Sequence, residues 1–139
     1  MKWNFNDYKK WVTSGCPINT LVTHLDIAVK QLLNIDKINN LPNLQILNCI
    51  YNKIINIQGL QLPNLQELYC SFNQIIDIQG LQLSNLQKLN CSYNNIINIE
   101  GLQLPNLQEL DCSFNQIIDI EELKLPNLQK LNCSYNNIK

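Results

Sequence analysis

The sequence predicts an α/β repeat solenoid that has one short parallel strand per repeat, turns and short 3₁₀ segments between the strands, and a short N-terminal helix. The stretch LPNLQELYCSFNQIIDIQG, residues 62–80, recurs with few changes every 21 residues, starting at Leu41, Leu83, Leu104 and Leu125. Apolar residues at constant offsets in a unit of this length are typical of a solenoid, in which each unit contacts only its neighbours. Pro63 and its equivalents disfavour a regular helix between the strands.

Residues 1–21 lie outside the repeat and predict a helical cap. The apolar residues near helical spacing are Trp3, Tyr8, Trp11 and Val12. Asn4, Asn6 or Asp7 is available as the N-cap, and Gly15 is available as the stop before Pro17. We expect the aromatic side chains to cover the apolar end of the first repeat, because the open end of a solenoid needs a cap. A partner-binding anchor is the alternative interpretation of the same residues.

Residues 22–139 predict six rungs of leucine-rich sequence. The first rung begins at Val22, is one residue longer than the others and has Lys30 where they have asparagine. Four regular rungs begin at Leu44, Leu65, Leu86 and Leu107, and an incomplete rung begins at Leu128. We therefore expect a divergent first rung and no recognisable C-terminal cap.

Each regular rung contains the period of two that a half-buried strand requires. Leu68 and Cys70 alternate with Glu67, Tyr69 and Ser71, which predicts an inward and an outward set of side chains. Stacked in register, one such strand per rung gives a parallel sheet.

An asparagine follows each of these strands. The side-chain amide of Asn73 can bond the free backbone groups of the turn that ends its strand. We expect a ladder of these side chains, each supporting the next, made with the equivalent residues Asn52, Asn94, Asn115 and Asn136.

The string L-x-x-L-x-C-x-x-N-x-I, which runs from Leu65 to Ile75, resembles the leucine-rich repeat family, and the continuing Ile78 and Leu81 resemble its short SDS22-like class. The resemblance implies a curved solenoid with the parallel sheet on its concave face, where most relatives bind other proteins. Cysteine in place of leucine on the strand, together with the biased composition, is similar to repeat proteins of giant DNA viruses, amoebae and some bacteria.

A second period of 42 residues overlies the first. The rungs from Leu65 and Leu107 share ELxCSFNQIIDI, and those from Leu86 and Leu128 share KLNCSYNN. Copies this similar indicate recent duplication. A residue in a repeated column can therefore recur because it was copied, which weakens any functional inference from recurrence alone.

Composition argues against several classes of function. The formal net charge is −1 and the chain contains no arginine, so nucleic-acid binding is not expected. The first twenty residues lack the apolar core of a signal peptide, and no apolar run is long enough to span a membrane. We expect a cytoplasmic protein, in the host cytoplasm or virion for a viral source, with its six cysteines as thiols.

The cysteine column is predicted to be structural. Its thiols would lie about 4.8 Å apart on neighbouring strands, where parallel side chains rarely present disulfide torsions. No CxxC or mixed cysteine and histidine cluster indicates a metal site. We expect buried thiols at Cys49, Cys70, Cys91, Cys112 and Cys133, with Cys16 as a candidate exposed thiol.

Two sets of columns are candidates for partner binding. The concave set contains Glu67, Lys88, Glu109 and Lys130, with Tyr69 and Asp111 in the neighbouring column. Its alternating charges are either a recognition surface or cross-strand neutralisation. The strand-end set contains the aromatics Phe72, Tyr93 and Phe114, which either fill the space between rungs or form an apolar stripe with Ile55, Ile76, Ile97 and Ile118.

The predicted function is non-enzymatic binding of another, unidentified protein, without cofactor or metal. His24 and Asp26 lie two residues apart, but no nucleophile is placed by sequence to complete a catalytic group. The alternative is a structural protein that forms homodimers through its uncapped C-terminal rung, because an open strand edge can template further pairing.

Overall fold

The computed structural model describes residues 1–139 and contains a single curved parallel sheet of seven strands in chain order. The strands are β1 (Lys2–Trp3), β2 (His24–Asp26), β3 (Ile46–Asn48), β4 (Glu67–Tyr69), β5 (Lys88–Asn90), β6 (Glu109–Asp111) and β7 (Lys130–Asn132). One α-helix, α1 (Phe5–Thr13), precedes β2, and one 3₁₀ helix spans Asp36–Asn40. The predicted fold class, a solenoid with its sheet on the concave face and turns on the convex face, is confirmed.

Neighbouring strands pair in register, so that equivalent residues of successive rungs lie side by side. Leu68 of β4 lies between Leu47 and Leu89, and all three are buried. Together with the buried isoleucines and leucines of the return segments, they form one continuous core cluster of 34 residues. Burying each such side chain stabilises the fold by about 1.5–3 kcal/mol relative to leaving it exposed. The core is therefore a long column shared between rungs.

The asparagine ladder joins the rungs through buried hydrogen bonds, as the sequence predicts. The Nδ2 atom of Asn73 donates to the carbonyl oxygens of Cys49 (3.0 Å) and Cys70 (3.1 Å). Its Oδ1 atom accepts a hydrogen bond from the backbone N–H of Ile54 (3.0 Å). One side chain thus satisfies backbone groups of its own rung and of the rung before it. Asn52, Asn94, Asn115 and Asn136 make equivalent contacts.

The strand alternation ends earlier than the sequence indicates. Ser71, expected on the exposed face, is buried. The reason is that β4 ends at Tyr69 and the chain then turns inward through Phe72, whose φ of 56° lies in the left-handed region. The return segment that follows buries Ile75 and Ile78 in the core.

Helix α1 caps the first rung with aromatic side chains. Its N-cap is Asn4, whose Oδ1 accepts from the backbone N–H of Asp7 while the Asp7 carboxylate accepts from the N–H of Asn4, both at 3.0 Å. Tyr8 and Trp11 are buried against the core. Trp3, which the spacing assigns to the helix, lies instead in β1, because the backbone of residues 2–3 pairs with β2. A two-residue strand carries no periodicity by which sequence could reveal it.

One residue before the first rung differs from expectation, and one residue within that rung makes a contact that the sequence did not predict. Cys16, a candidate exposed thiol, is buried, because the chain reverses through left-handed conformations at Gly15 (φ 93°) and Cys16 (φ 55°) and turns the thiol into the core. Lys30, which replaces the asparagine of later rungs, places its Nζ atom 4.9 Å from the ring centroid of Phe5. This cation–π contact ties the first rung to α1.

No helix in the protein has the length and apolar character needed to cross a bilayer.

The ladder generates a test of what holds the rungs together. Replacing Asn73 with alanine leaves the buried N–H of Ile54 without its partner and removes one of the two side-chain hydrogen bonds that the carbonyl oxygens of Cys49 and Cys70 each accept, so we expect the free energy of unfolding to fall by about 1–3 kcal/mol. Urea denaturation followed by circular dichroism measures this change. Asn95→Ala is the matched control, because Asn95 is exposed, and its loss should change stability by less than about 0.5 kcal/mol. Equal stabilities of the two variants would refute the role assigned to the ladder.

Candidate functional site

The concave face presents two columns of side chains, because only the first and third residue of each three-residue strand point away from the core. The charge column comprises the first residues, and the polar column comprises the third residues. In-register pairing places the charge column at His24, Ile46, Glu67, Lys88, Glu109 and Lys130. It places the polar column at Asp26, Asn48, Tyr69, Asn90, Asp111 and Asn132.

The alternating signs of the charge column produce one ion pair. The Nζ atom of Lys130 lies 3.6 Å from Oε1 of Glu109, and the two side chains are 77% and 40% exposed. A pair this exposed contributes about 0–1 kcal/mol. Lys88 lies in register between Glu67 and Glu109 yet forms no ion pair. Cross-strand neutralisation, the simpler interpretation of this column, is therefore realised at only one of its three contacts.

The carboxylate of Glu67 is hydrogen-bonded to Tyr69, which lies on the same strand. The hydroxyl group of Tyr69 donates a hydrogen bond of 2.7 Å to Oε2 of Glu67. This bond, together with partial burial and the negative charges of Glu67 and Glu109, raises the pKa of Tyr69 to about 12. Because the pKa is raised, the phenol keeps its proton at every pH below that value. Tyr69 is thus held in one position on the concave face as a neutral, oriented ring.

A shallow recess of about 360 Å³ lies over β4 to β7 on this face. It collects most of the concave residues that the sequence nominates, namely Tyr69, Lys88, Glu109, Asp111 and Lys130. Glu67 does not line the recess and reaches it only through Tyr69. Asn90 and Asn132 also line it. Sequence reasoning placed these two in the right column but did not nominate them, because nothing distinguishes them from the other small polar residues there.

One of the two carboxylate oxygens of Asp111 is hydrogen-bonded within its own turn. Its Oδ1 atom accepts hydrogen bonds from the backbone N–H (3.0 Å) and the hydroxyl (2.6 Å) of Ser113. Asn90 makes the same pair of contacts to Ser92, at 3.1 and 2.8 Å. These bonds fix both side chains at the ends of their strands, and the second oxygen of Asp111 accepts no hydrogen bond within the chain. The burial of the serines therefore helps to orient the concave residues.

The strand-end aromatics form a continuous stack at a different place. Successive rings lie 4.1–4.2 Å apart between centroids, with interplanar angles of 9–10°. The stacked residues are Tyr51, Phe72, Tyr93, Phe114 and Tyr135, and all five have φ between 53° and 56°. Left-handed backbone is costly for bulky residues, so the stacking and the turn geometry together hold it in place.

The aromatic stack lines its own open groove of about 620 Å³ beside the asparagine ladder. Phe72, Tyr93 and Phe114 belong to this groove and not to the concave recess. Because neighbouring rings cover one another, the stack offers ring edges to a partner and no free ring faces between rungs. Both interpretations of the aromatic column are thus partly realised: the rings fill the space between rungs, while Tyr51 and Tyr93 remain 51% and 40% exposed.

The isoleucine column stays on the surface of the return side. Ile55, Ile76, Ile97 and Ile118 are each about half exposed, between 46% and 52%. Their neighbours Ile54, Ile75, Ile96 and Ile117 are buried in the core. The column therefore adds apolar surface that the core does not use.

The cysteine column has the chemistry of a buried apolar column. Four of its thiols are buried, Cys133 is partly exposed, and all six cysteines of the chain are free. Burial raises the pKa of the Cys49 and Cys112 thiols to about 12 and moves the pKa of Cys70 and of Cys91 well above its usual range. A thiol that stays protonated is a poor nucleophile and a poor metal ligand. No group of three or more metal-ligating side chains comes together in the protein.

His24 and Asp26 make separate local contacts. The Nδ1 atom of His24 lies 2.9 Å from Oγ1 of Thr23, and Asp26 accepts a hydrogen bond from the backbone N–H of Ala28. Both residues are on the concave face, but neither is hydrogen-bonded to the other. The pair lies outside the recess over β4 to β7.

Fold and surface together define a class: an open repeat solenoid whose rungs present matching columns of side chains. The chain matches the family described as Leucine Rich repeats (2 copies) over residues 63–104 and 105–139, which is more than half of its length. It belongs to the leucine-rich repeat family, whose members generally mediate protein–protein interactions. Comparison with curated proteins gives no match.

Solved structures of other leucine-rich repeat proteins share the fold. An internalin C2 from Listeria monocytogenes is 32% identical, with a TM-score of 0.75 over 86% of this chain and 55% of the internalin. An internalin, inlF, from the same organism is 29% identical, with a TM-score of 0.74 over 85% and 36% of the two chains. TLR13, solved as a complex with ssRNA13, is 25% identical, with a TM-score of 0.67 over 82% and 19%. The chain thus spans about half, a third and a fifth of their lengths.

The contact between Tyr69 and Glu67 yields a spectroscopic prediction. Glu67→Gln removes the ionised acceptor of the phenol hydrogen bond, so we expect the pKa of Tyr69 to fall from about 12 toward its ordinary value. An NMR titration of the Tyr69 ring signals, in wild type and variant, measures the change. Glu109→Gln is the control and should move the pKa less, since Glu109 acts on Tyr69 only through its charge. An unchanged pKa in Glu67→Gln would contradict the hydrogen bond.

Proposed function

We propose that this chain is a non-enzymatic protein-binding module that engages its partner through the concave face. The observation that carries the proposal is the recess over β4 to β7, where Tyr69, Lys88 and Asp111 converge on in-register strands. Lys88 makes no ion pair there, and one oxygen of Asp111 accepts no hydrogen bond within the chain. Polar groups that the fold itself leaves without partners are available to a ligand.

The rigidity of the sheet supports this proposal. Leu68, Leu89 and Leu110 are buried beneath the recess, and Asn94 and Asn115 hydrogen-bond the backbone at the strand ends. A backbone held in this way loses little conformational freedom on binding. Tyr69 adds an aromatic ring already oriented by Glu67, and aromatic residues are enriched among those that dominate binding energy.

The strand-end aromatics form a second contact region in the proposal. Phe72 lies three residues after Tyr69 in the same rung, so a partner larger than the recess would reach the aromatic groove around the strand ends. Tyr93 and Phe114 extend this region along the solenoid. The concave recess supplies charge and the groove supplies apolar ring edges, a combination of anchor types that protein interfaces commonly use.

Affinity capture from cells of the source organism tests the concave proposal. We expect Tyr69→Ala and Lys88→Ala each to reduce recovery of the bound protein by about tenfold, since loss of a central contact costs more than about 1 kcal/mol. Lys124→Ala is the matched control for Lys88→Ala, because Lys124 is an exposed lysine of the return side. Recovery that is equal for wild type and both concave variants would overturn the proposal.

A second candidate function is self-association through β7. In this chain β7 pairs only with β6, and the edge around it exposes Leu131 (41%), Ile138 (37%) and Tyr135 (72%). A strand edge with unpaired backbone groups beside apolar side chains can pair with the same edge of a second copy. The result would be a homodimer joined by its last rungs.

Sedimentation velocity over a range of protein concentrations tests the homodimer. We expect the wild type to form a dimer as concentration rises and Leu131→Lys to stay monomeric, because the lysine places a charge in the paired edge. Ile97→Lys, on the exposed return side, is the control and should dimerise like the wild type. A wild-type protein that stays monomeric at the highest concentration rules out this candidate.

A further inference from the structure

We infer that the concave recess seats a single arginine side chain of an extended partner segment, between Tyr69 and Asp111. The inference rests on the proposed protein-binding function and specifies the chemistry of the partner at that site. The starting observation is the charge balance of the concave face. The recess itself is balanced, with the carboxylates of Glu109 and Asp111 against the ammonium groups of Lys88 and Lys130, but only Glu109 and Lys130 form an ion pair.

Asp111 is the carboxylate of the recess that forms no ion pair within the chain. Glu67 accepts the Tyr69 hydroxyl, and Glu109 is paired with Lys130 at 3.6 Å. The in-register neighbours of Asp111 are neutral, Asn90 on one side and Asn132 on the other. Its Oδ1 atom is bonded to Ser113, and no donor of the chain reaches its Oδ2 atom. A cation from the partner would supply the positively charged hydrogen-bond donor that Oδ2 of Asp111 lacks.

The spacing of the polar column fits a planar cation. Tyr69, Asn90 and Asp111 lie on three successive strands, so the aromatic residue and the carboxylate are about 10 Å apart across two strand spacings. Asn90, which Ser92 holds in place, lies between them in register and also lines the recess. A guanidinium group is flat, stacks on aromatic rings and directs N–H donors at a carboxylate. The same gap is wide for the single point charge of a lysine ammonium group.

Lys88 limits the partner to one cation. It lies on the same strand as Asn90, two residues away, and lines the same recess. A second positive group beside the first would approach its ammonium group, which is not neutralised by an ion pair within the chain. The recess therefore favours an isolated arginine over a polybasic segment. A partner carboxylate next to that arginine would find Lys88 as its counter-ion.

An NMR titration of the isotopically labelled chain tests the inference. The probe is a capped heptapeptide of glycine and serine with a central arginine, compared with the same peptide carrying citrulline, which keeps the shape and removes the charge. We expect the arginine peptide to shift the signals of Asn90 and Asp111 and to bind at least about tenfold more tightly than the citrulline peptide. Equal binding of the two peptides would overturn the inference.

A matched pair of variants locates the cation. Asp111→Asn should abolish the difference between the peptides. Asp119→Asn should retain it, because Asp119 lies on the return side and accepts the same kind of local backbone bond, from Glu121 at 2.9 Å. An unchanged preference for arginine in Asp111→Asn, or shifts confined to the acidic return side at Glu121 and Glu122, would also refute the site.

The capture experiment and the peptide titration together distinguish failure of the arginine site from failure of the proposed concave interface. Loss of partner capture in Lys88→Ala, together with an arginine preference that Asp111→Asn leaves intact, keeps the concave interface and discards the arginine site. An arginine preference that depends on Asp111 supports the site even where capture of the cellular partner does not depend on Lys88.

Discussion

The asparagine ladder is the constraint on which the rest of this structure depends. At the end of each strand the backbone turns inward and would leave carbonyl and N–H groups buried without partners. Asn73 and its equivalents satisfy those groups in two rungs at once, which fixes the distance and the register between rungs. A rung that gained or lost a residue between asparagines would break contacts on both sides. The regular rungs accordingly keep their length of 21 residues.

Register turns repetition in sequence into columns on the surface. The duplication of a 42-residue unit makes tyrosine alternate with phenylalanine in the aromatic stack and glutamate alternate with lysine on the concave face. Most of this surface is therefore a consequence of copying. The places where the copies differ are more informative about binding, and Tyr69 and Asp111, which occupy equivalent positions in rungs that otherwise agree closely, are two of them.

The two surfaces that the sequence suggested for partner binding have different physical characters. The concave recess is polar and holds charges that are only partly compensated, as Lys88 and Asp111 show. The aromatic groove presents ring edges whose faces are already used within the stack. The family relationship and the similar internalin structures concern the scaffold beneath both surfaces. In the proposed function, binding specificity comes from side chains such as Tyr69, which project from that scaffold.

The sequence by itself determined the solenoid, the strand positions and the asparagine ladder, because each depends on residues that are close in the chain and repeat at constant offsets. Leu68, Cys70 and Asn73 were assigned correctly for that reason. Only the tertiary structure decided that residues 2–3 form a strand, that Cys16 and Ser71 are buried, and that Glu67 bonds Tyr69 in preference to Lys88. These outcomes depend on the path of the backbone between elements and on the conformers of individual side chains, and neither has a period that a sequence can display.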